Sequence, residues 1–131
     1  MRSVRTYVDT SVFGGTEDRE FQDASRRFFA EVRSGRFQVL VSSIVTDELQ
    51  VAPEKIRQVL DEIPPERIEI VPVDQRVKDL ARAYIAAGAV TRKSEGDALH
   101  VAAATMAKAE LIVSWNFKHI VHFEKIPLYN A

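Results

Sequence analysis

The chain has 131 residues, of which 46% are hydrophobic and 28% charged, an ordinary globular balance that excludes a disordered or collagen-like polymer. One domain spanning residues 1–131 is expected, since a chain of this length buries roughly two-thirds of its unfolded surface. The absence of cysteine excludes a disulfide framework, a thiolate zinc site and a Cys nucleophile, and a net charge of −1 supplies no global positive field to hold nucleic acid.

Arg5 to Val8 reads as a β-branched and aromatic strand that runs through Asp9-Thr10-Ser11 into a glycine-bearing loop at Gly14-Gly15. Ala24, Phe28, Phe29 and Val32 follow helical spacing, with Gly35 as the stop, and Phe37 to Val41 returns as a second strand. Ser42 and Ser43 are N-cap candidates for a short helix carrying Val45, Glu48 and Leu49, and Pro53 suits the first turn of the next helix. Pro64-Pro65 ends that helix before a buried strand, Ile68 to Val71. Asp74 caps a helix whose Val77, Leu80, Ala81, Tyr84 and Ile85 make one apolar stripe, stopped at Gly88.

Ser94-Glu95-Gly96-Asp97 has a capping-box-like spacing and announces an alanine-rich helix through Ala98 to Ala107, able to pack closely on a sheet. Leu111-Ile112-Val113 is a fourth strand, and Ile126 to Tyr129 supplies a last edge strand. Strands alternating with helices predict an α/β fold, a three-layer α/β/α sandwich with a mostly parallel central sheet of four to five strands. Function in such sheets gathers at the carboxyl ends of the strands.

Asp9 after the first strand, Asp97 opening the alanine-rich helix and Asn116 after the fourth strand can converge on that rim, and Glu48 can join them from the short helix. Carboxylates crowded together stay ionised only if a cation or a donor compensates them. Hard oxygen ligands suit Mg²⁺ or Mn²⁺, and either ion can assist water and neutralise charge on an attacked phosphodiester.

Four stretches carry a resemblance. Val8-Asp9-Thr10-Ser11, Ser43-Ile44-Val45-Thr46-Asp47-Glu48-Leu49, Gly96-Asp97-Ala98-Leu99-His100-Val101-Ala102-Ala103-Ala104 and Val113-Ser114-Trp115-Asn116-Phe117 resemble, in order and spacing, the signature blocks of PIN domains. The resemblance implies a divalent-metal-dependent endoribonuclease, at this size commonly a VapC-like toxin of a type II toxin–antitoxin pair, in which a metal-activated water hydrolyses RNA phosphodiesters. It implies Asp9, Glu48 and Asp97 as metal-site acids, with Thr10, Ser11 and Ser114 as supporting hydroxyls. Asn116 stands where the family more often has a fourth acid, so it counts among the catalytic candidates but brings no charge. The expected ions are Mg²⁺ or Mn²⁺, with one held well and a second weakly. The expected partners are an RNA substrate, a small antitoxin protein and a second copy of the chain in a homodimer.

Each of these residues also has a plainer reading. Asp9 suits an Asx-turn or a cap, Glu48 a solvated surface, Asp97 the helix cap and Asn116 a turn. His100 suits a packed or hydrogen-bonded core position better than a catalytic one. His119 and His122 lack a third ligand for zinc, and Trp115 and Phe117 read as core. Arg92, Lys93 and Lys118 are solvated by default and hold phosphates only if they flank the acidic rim.

Two other functions compete. One is a catalytically weak or inactive PIN-like module that binds RNA or a partner, which Asn116 favours. The other is an Asp-nucleophile phosphatase, which Asp9-Thr10-Ser11 disfavours because it lacks a second aspartate two positions on. With no bilayer-length apolar run and no leader pattern, the expected location is cytoplasmic, with no membrane partner.

Overall fold

The structure is a computed structural model that describes residues 3–88 and 95–116. Its strands are β1 (Val4–Val8), β2 (Phe37–Ser42), β3 (Ile68–Val71) and β4 (Leu111–Val113). The helices are α1 (Thr10–Gly14), α2 (Gln22–Arg33), α3 (Ser43–Gln50), α4 (Glu54–Asp61), α5 (Gln75–Ala86) and α6 (Glu95–Met106). The sheet has the order β3-β2-β1-β4, and every pairing is parallel. Successive steps from β1 to β3 move one way across it, whereas the step to β4 crosses back. Right-handed crossovers therefore put α1 to α4 on one face and α5 and α6 on the other.

The two central strands are apolar on both faces, as burial under two helical layers requires. Tyr7 and Val8 on β1 and Val39, Leu40 and Val41 on β2 are fully buried. On α6, Ala98, Val101, Ala102, Ala103 and Ala104 are buried, and side chains this small let the helix sit close to the sheet. The stripe expected on α5 is present, with Val77, Ala81 and Tyr84 buried and Leu80 and Ile85 packed against the core.

Local signals place most boundaries. The Asp74 carboxylate accepts from the Val77 N–H at 3.1 Å, capping α5. Gly35 and Gly88 adopt φ of +92° and +78° after α2 and α5, where an L side chain would be strained.

Three expectations change. The segment after β1 is not a loop: Thr10–Gly14 forms a helix and Gly15–Glu17 a 3-10 turn. Val12 and Phe13 bury their side chains there, and Gly14 and Gly15 both take right-handed helical angles instead of turn angles. Pro53 occupies the N-cap of α4, one place before its first turn. Ser42 ends β2 and stands at the N-cap of α3 without a side-chain capping bond. The Ser94-led capping box, the strand at 126–129 and the side chains of Arg92, Lys93, Phe117, Lys118, His119 and His122 lie outside the described residues. Among the described residues, no helix is long and apolar enough to cross a membrane.

Candidate active site

The reversal of strand order at β1 leaves a crevice beyond the carboxyl ends of β1 and β4, where ligands of open parallel sheets bind. Pairing persists to its edge, because Val8 is in register with Val113 and the Asp9 N–H donates to the Val113 carbonyl at 3.1 Å. Asp9 thus enters the crevice from a rigid strand end. It stands at the N-cap of α1, yet its side chain makes no capping bond. The carboxylate instead collects donors from both sides of the crevice. Oδ2 accepts from Ser11 Oγ at 2.8 Å, Ser114 Oγ at 2.8 Å and Asn116 Nδ2 at 3.3 Å.

These hydroxyls are themselves held. Ser11 Oγ accepts from the Trp115 N–H at 2.9 Å, and Ser114 Oγ from the Asn116 N–H at 3.0 Å. Trp115 is fixed in turn, stacked on Phe21 and donating its indole N–H to Ser25 Oγ at 2.8 Å. The expected core role of Trp115 is therefore observed, and it anchors the loop after β4. Asn116, exposed at the rim, turns its amide nitrogen to Asp9, so here it acts as a donor to an acid.

The other oxygen of Asp9 faces His100, with Oδ1 3.4 Å from Nε2. Glu48 Oε1 from α3 lies 3.5 Å from the same nitrogen, so two acids far apart in sequence meet around one imidazole. The Glu48 side chain is 50% exposed, which leaves this side of the crevice open to solvent. Asp97, half-buried, precedes His100 by three positions on α6 and shares its helix face. Thr10 follows Asp9, and its Oγ1 is buried with no hydrogen-bond partner among the described residues.

Behind the acids lie two residues that sequence reasoning did not assign to the site. The Tyr7 hydroxyl is 2.8 Å from Ser42 Oγ and 2.7 Å from His100 Nδ1. Burial pushes the Tyr7 phenol well above its ordinary pKa, and the charges of Asp9 and Glu48 push the same way against the opposing Ser42 bond. Tyr7 reads from sequence as a core residue of a strand and Ser42 as a cap. The only available signal was His100 at helical spacing from Asp97.

Among the described residues, no three His, Cys, Asp or Glu side chains are arranged to hold a metal ion by themselves. The donor set still fits a hard divalent cation. Mg²⁺ keeps most of its waters and takes one or two carboxylates plus substrate phosphate, without needing an all-protein cage. A buried carboxylate, a solvent-open second carboxylate and, on the residue that follows the first, a buried hydroxyl with no partner among the described residues match that demand.

The PIN domain profile matches residues 6–119. The chain belongs to the PIN domain family. This PIN domain has the fold of solved VapC structures. It superposes on Mycobacterium tuberculosis VapC20, described as a Sarcin-Ricin loop cleaving toxin, with TM-score 0.64 at 14% identity over 86% of this chain and 92% of that one. It also matches a chain of the VapBC2 complex from Rickettsia felis, bound to a DNA fragment from its promoter, with TM-score 0.60 at 17% identity over 91% and 95%. No curated protein sequence matches the chain.

Proposed function

We propose that this PIN domain, residues 1–131, is a divalent-metal-dependent endoribonuclease and the toxin of a type II toxin–antitoxin pair. The observation that carries the reading is Asp9, a buried carboxylate at the strand-order reversal, braced on one oxygen and turned by the other toward the side where Glu48 is open to solvent. Asp9, Glu48 and Asp97 would hold Mg²⁺ or Mn²⁺ together with waters and a substrate phosphate, not as a closed protein cage, with Thr10, Ser11 and Ser114 supporting them. When bound, such an ion supplies positive charge against a phosphodiester and makes water a better nucleophile at neutral pH.

The protein's own contribution is orientation. Ser11 and Ser114 fix the Asp9 carboxylate, so little reorganisation of this group accompanies binding or reaction. Trp115 keeps the β4 loop against α2, which holds Ser114 and Asn116 at the rim. The exposed face of Glu48 leaves room for an RNA phosphate to approach. Asn116 adds no charge, so a single tight ion is the expected stoichiometry. The description of VapC20 as a Sarcin-Ricin loop cleaving toxin and the VapBC2 complex support an RNA substrate and an antitoxin partner for this chain.

The test is RNA cleavage by the purified protein with Mn²⁺, with and without chelator. Chelator is expected to abolish cleavage, and Asp9→Asn to lower the rate on the order of 100-fold or more, because the lost interaction is worth several kcal/mol in the transition state. An unchanged rate in Asp9→Asn would sink the mechanism. One observation favours a second reading, a weak or inactive RNA- or partner-binding module: Asn116 donates to Asp9 where an acid would add a ligand. Metal-free RNA binding with no cleavage across a broad RNA panel would select it.

A further inference from the structure

His100 is 9% exposed and stands between the two acids, yet the proposed chemistry gives it no task. The Tyr7 hydroxyl holds its Nδ1 side at 2.7 Å, and the two rings meet edge to face with centroids 5.8 Å apart. Its Nε2 side faces oxygens of the site, Asp9 Oδ1 at 3.4 Å and Glu48 Oε1 at 3.5 Å.

The direction of this chain of contacts follows from donor and acceptor chemistry. A lone pair on Nε2 would confront two carboxylate oxygens, whereas an N–H there attracts both. In the neutral ring the hydrogen therefore sits on Nε2, and Nδ1 accepts from Tyr7. Tyr7 then donates its hydroxyl hydrogen to Nδ1, and its oxygen accepts from Ser42. The buried hydroxyls of Ser42 and Tyr7 thus select the imidazole tautomer, and the tautomer presents one hydrogen to two acids. Both contacts exceed the 2.7–3.2 Å or so of an ordinary N–H···O bond, so the N–H is a shared electrostatic bridge and not a full bond to either acid.

We propose that His100 is a positioning residue of the metal pocket, its Nε2–H set by Tyr7 and Ser42 so that Asp9 and Glu48 are drawn toward one point before the cation arrives. The proposal rests on the metal-dependent reading above. Without the bridge, two like charges repel, and a cation must assemble the pocket as it binds. Partners that orient ligands from behind typically affect metal affinity by about 10–100-fold. The long contacts place His100 near the lower end, on the order of 10-fold.

Two measurements on the full chain test this. Long-range ¹⁵N–¹H correlation of the metal-free protein reports which imidazole nitrogen carries hydrogen. Nε2–H is expected, with a shift toward mixed tautomers in Tyr7→Phe. Calorimetric titration with Mn²⁺ is expected to show binding on the order of 10-fold weaker in His100→Ala. Recovery is expected in His100→Gln, whose amide N–H₂ can stand in for Nε2–H. Circular dichroism confirms the fold of each variant, and if His100→Ala does not fold, the tautomer and Tyr7→Phe still decide. An Nδ1–H tautomer in the metal-free protein, or folded His100→Ala that binds Mn²⁺ as tightly as the parent, overturns the proposal. Failure of the parent itself to bind Mn²⁺ overturns the metal-dependent reading and is seen in a different sample.

Discussion

At the scale of single residues, the chemistry of the site depends on how many donors one carboxylate oxygen can gather. Ser114 illustrates the point because its hydroxyl donates to Asp9 Oδ2 and accepts from the Asn116 backbone N–H, joining β1 to the loop after β4. Ser114→Ala removes both contacts at a buried position. Its metal affinity, measured by calorimetry, is expected to fall about 10–100-fold. Its folding stability, measured by denaturant titration, should fall by only about 1 kcal/mol. A loss confined to stability would mean that Ser114 braces the loop and leaves the carboxylate untouched.

At the scale of elements, two helix ends use the same backbone device with different residues. After α2, the N–H groups of Gly35 and Arg36 donate to the carbonyls of Val32 and Glu31, and Gly35 is in the left-handed region. After α6, Lys108 and Ala109 donate to Thr105 and Ala104 in the same pattern, but the left-handed position is held by Lys108 with φ of 58°. A side chain pays a steric cost there that glycine does not. Lys108→Gly is expected to raise the unfolding free energy by roughly 0.5–1 kcal/mol, the relief of strain being partly offset by the freer unfolded chain.

The cap of α5 makes a pH-dependent prediction. The Val77 N–H donated to Asp74, with Arg76 beside it, holds that carboxyl below its ordinary pKa. A depressed folded value gives stability that is present above the unfolded value, near about 4, and is lost as pH falls through the folded one. Asp74→Ala is therefore expected to melt lower than the parent at neutral pH, with the gap narrowing in melts run at increasingly acidic pH. A gap that stays constant across that range would show that the carboxylate charge contributes nothing to the cap.

At the scale of the whole molecule, the site lies at one end of the sheet and a structural clamp at the other. Arg5 on β1 spans β2 to reach Glu69 on β3 with two contacts, at 3.2 and 2.8 Å, and also donates to the Ala107 carbonyl at the end of α6. Both side chains are more than a third exposed, so the pair is worth at most about 1 kcal/mol. The clamp's main effect is to tie β3 to β1 and α6, the two of these elements whose opposite ends carry Asp9, Asp97 and His100. A cation that binds only the folded chain should stabilise it by about 2.7 kcal/mol at one hundred times its Kd. For a domain of this size that corresponds to a rise in Tm on the order of 10 °C. Differential scanning fluorimetry with Mn²⁺ is expected to show the rise in the parent and lose it in Asp9→Asn.

What could be read from the chain alone was written in local physics. Asp74 three places before Val77, the glycines after α2 and α5 and the apolar stripe of α5 act over one or two turns, so spacing suffices to find them. The same holds for the alternation of strand and helix, and the PIN resemblance rested on short blocks of this kind. Local reasoning failed at Thr10–Gly14, where a glycine pair reads as a turn but burial of Val12 and Phe13 makes a helix. Other features needed the assembled sheet. That β4 pairs with β1, that Asn116 turns its amide nitrogen to Asp9, and that Tyr7 meets His100 beside Glu48 are contacts between segments whose separation along the chain says nothing about their distance in space. The sequence by itself determined which residues could bear charge and where most of the elements begin. Only the tertiary structure decided which of them face one another, because strand order and helix rotation arise from burying apolar faces across the whole molecule.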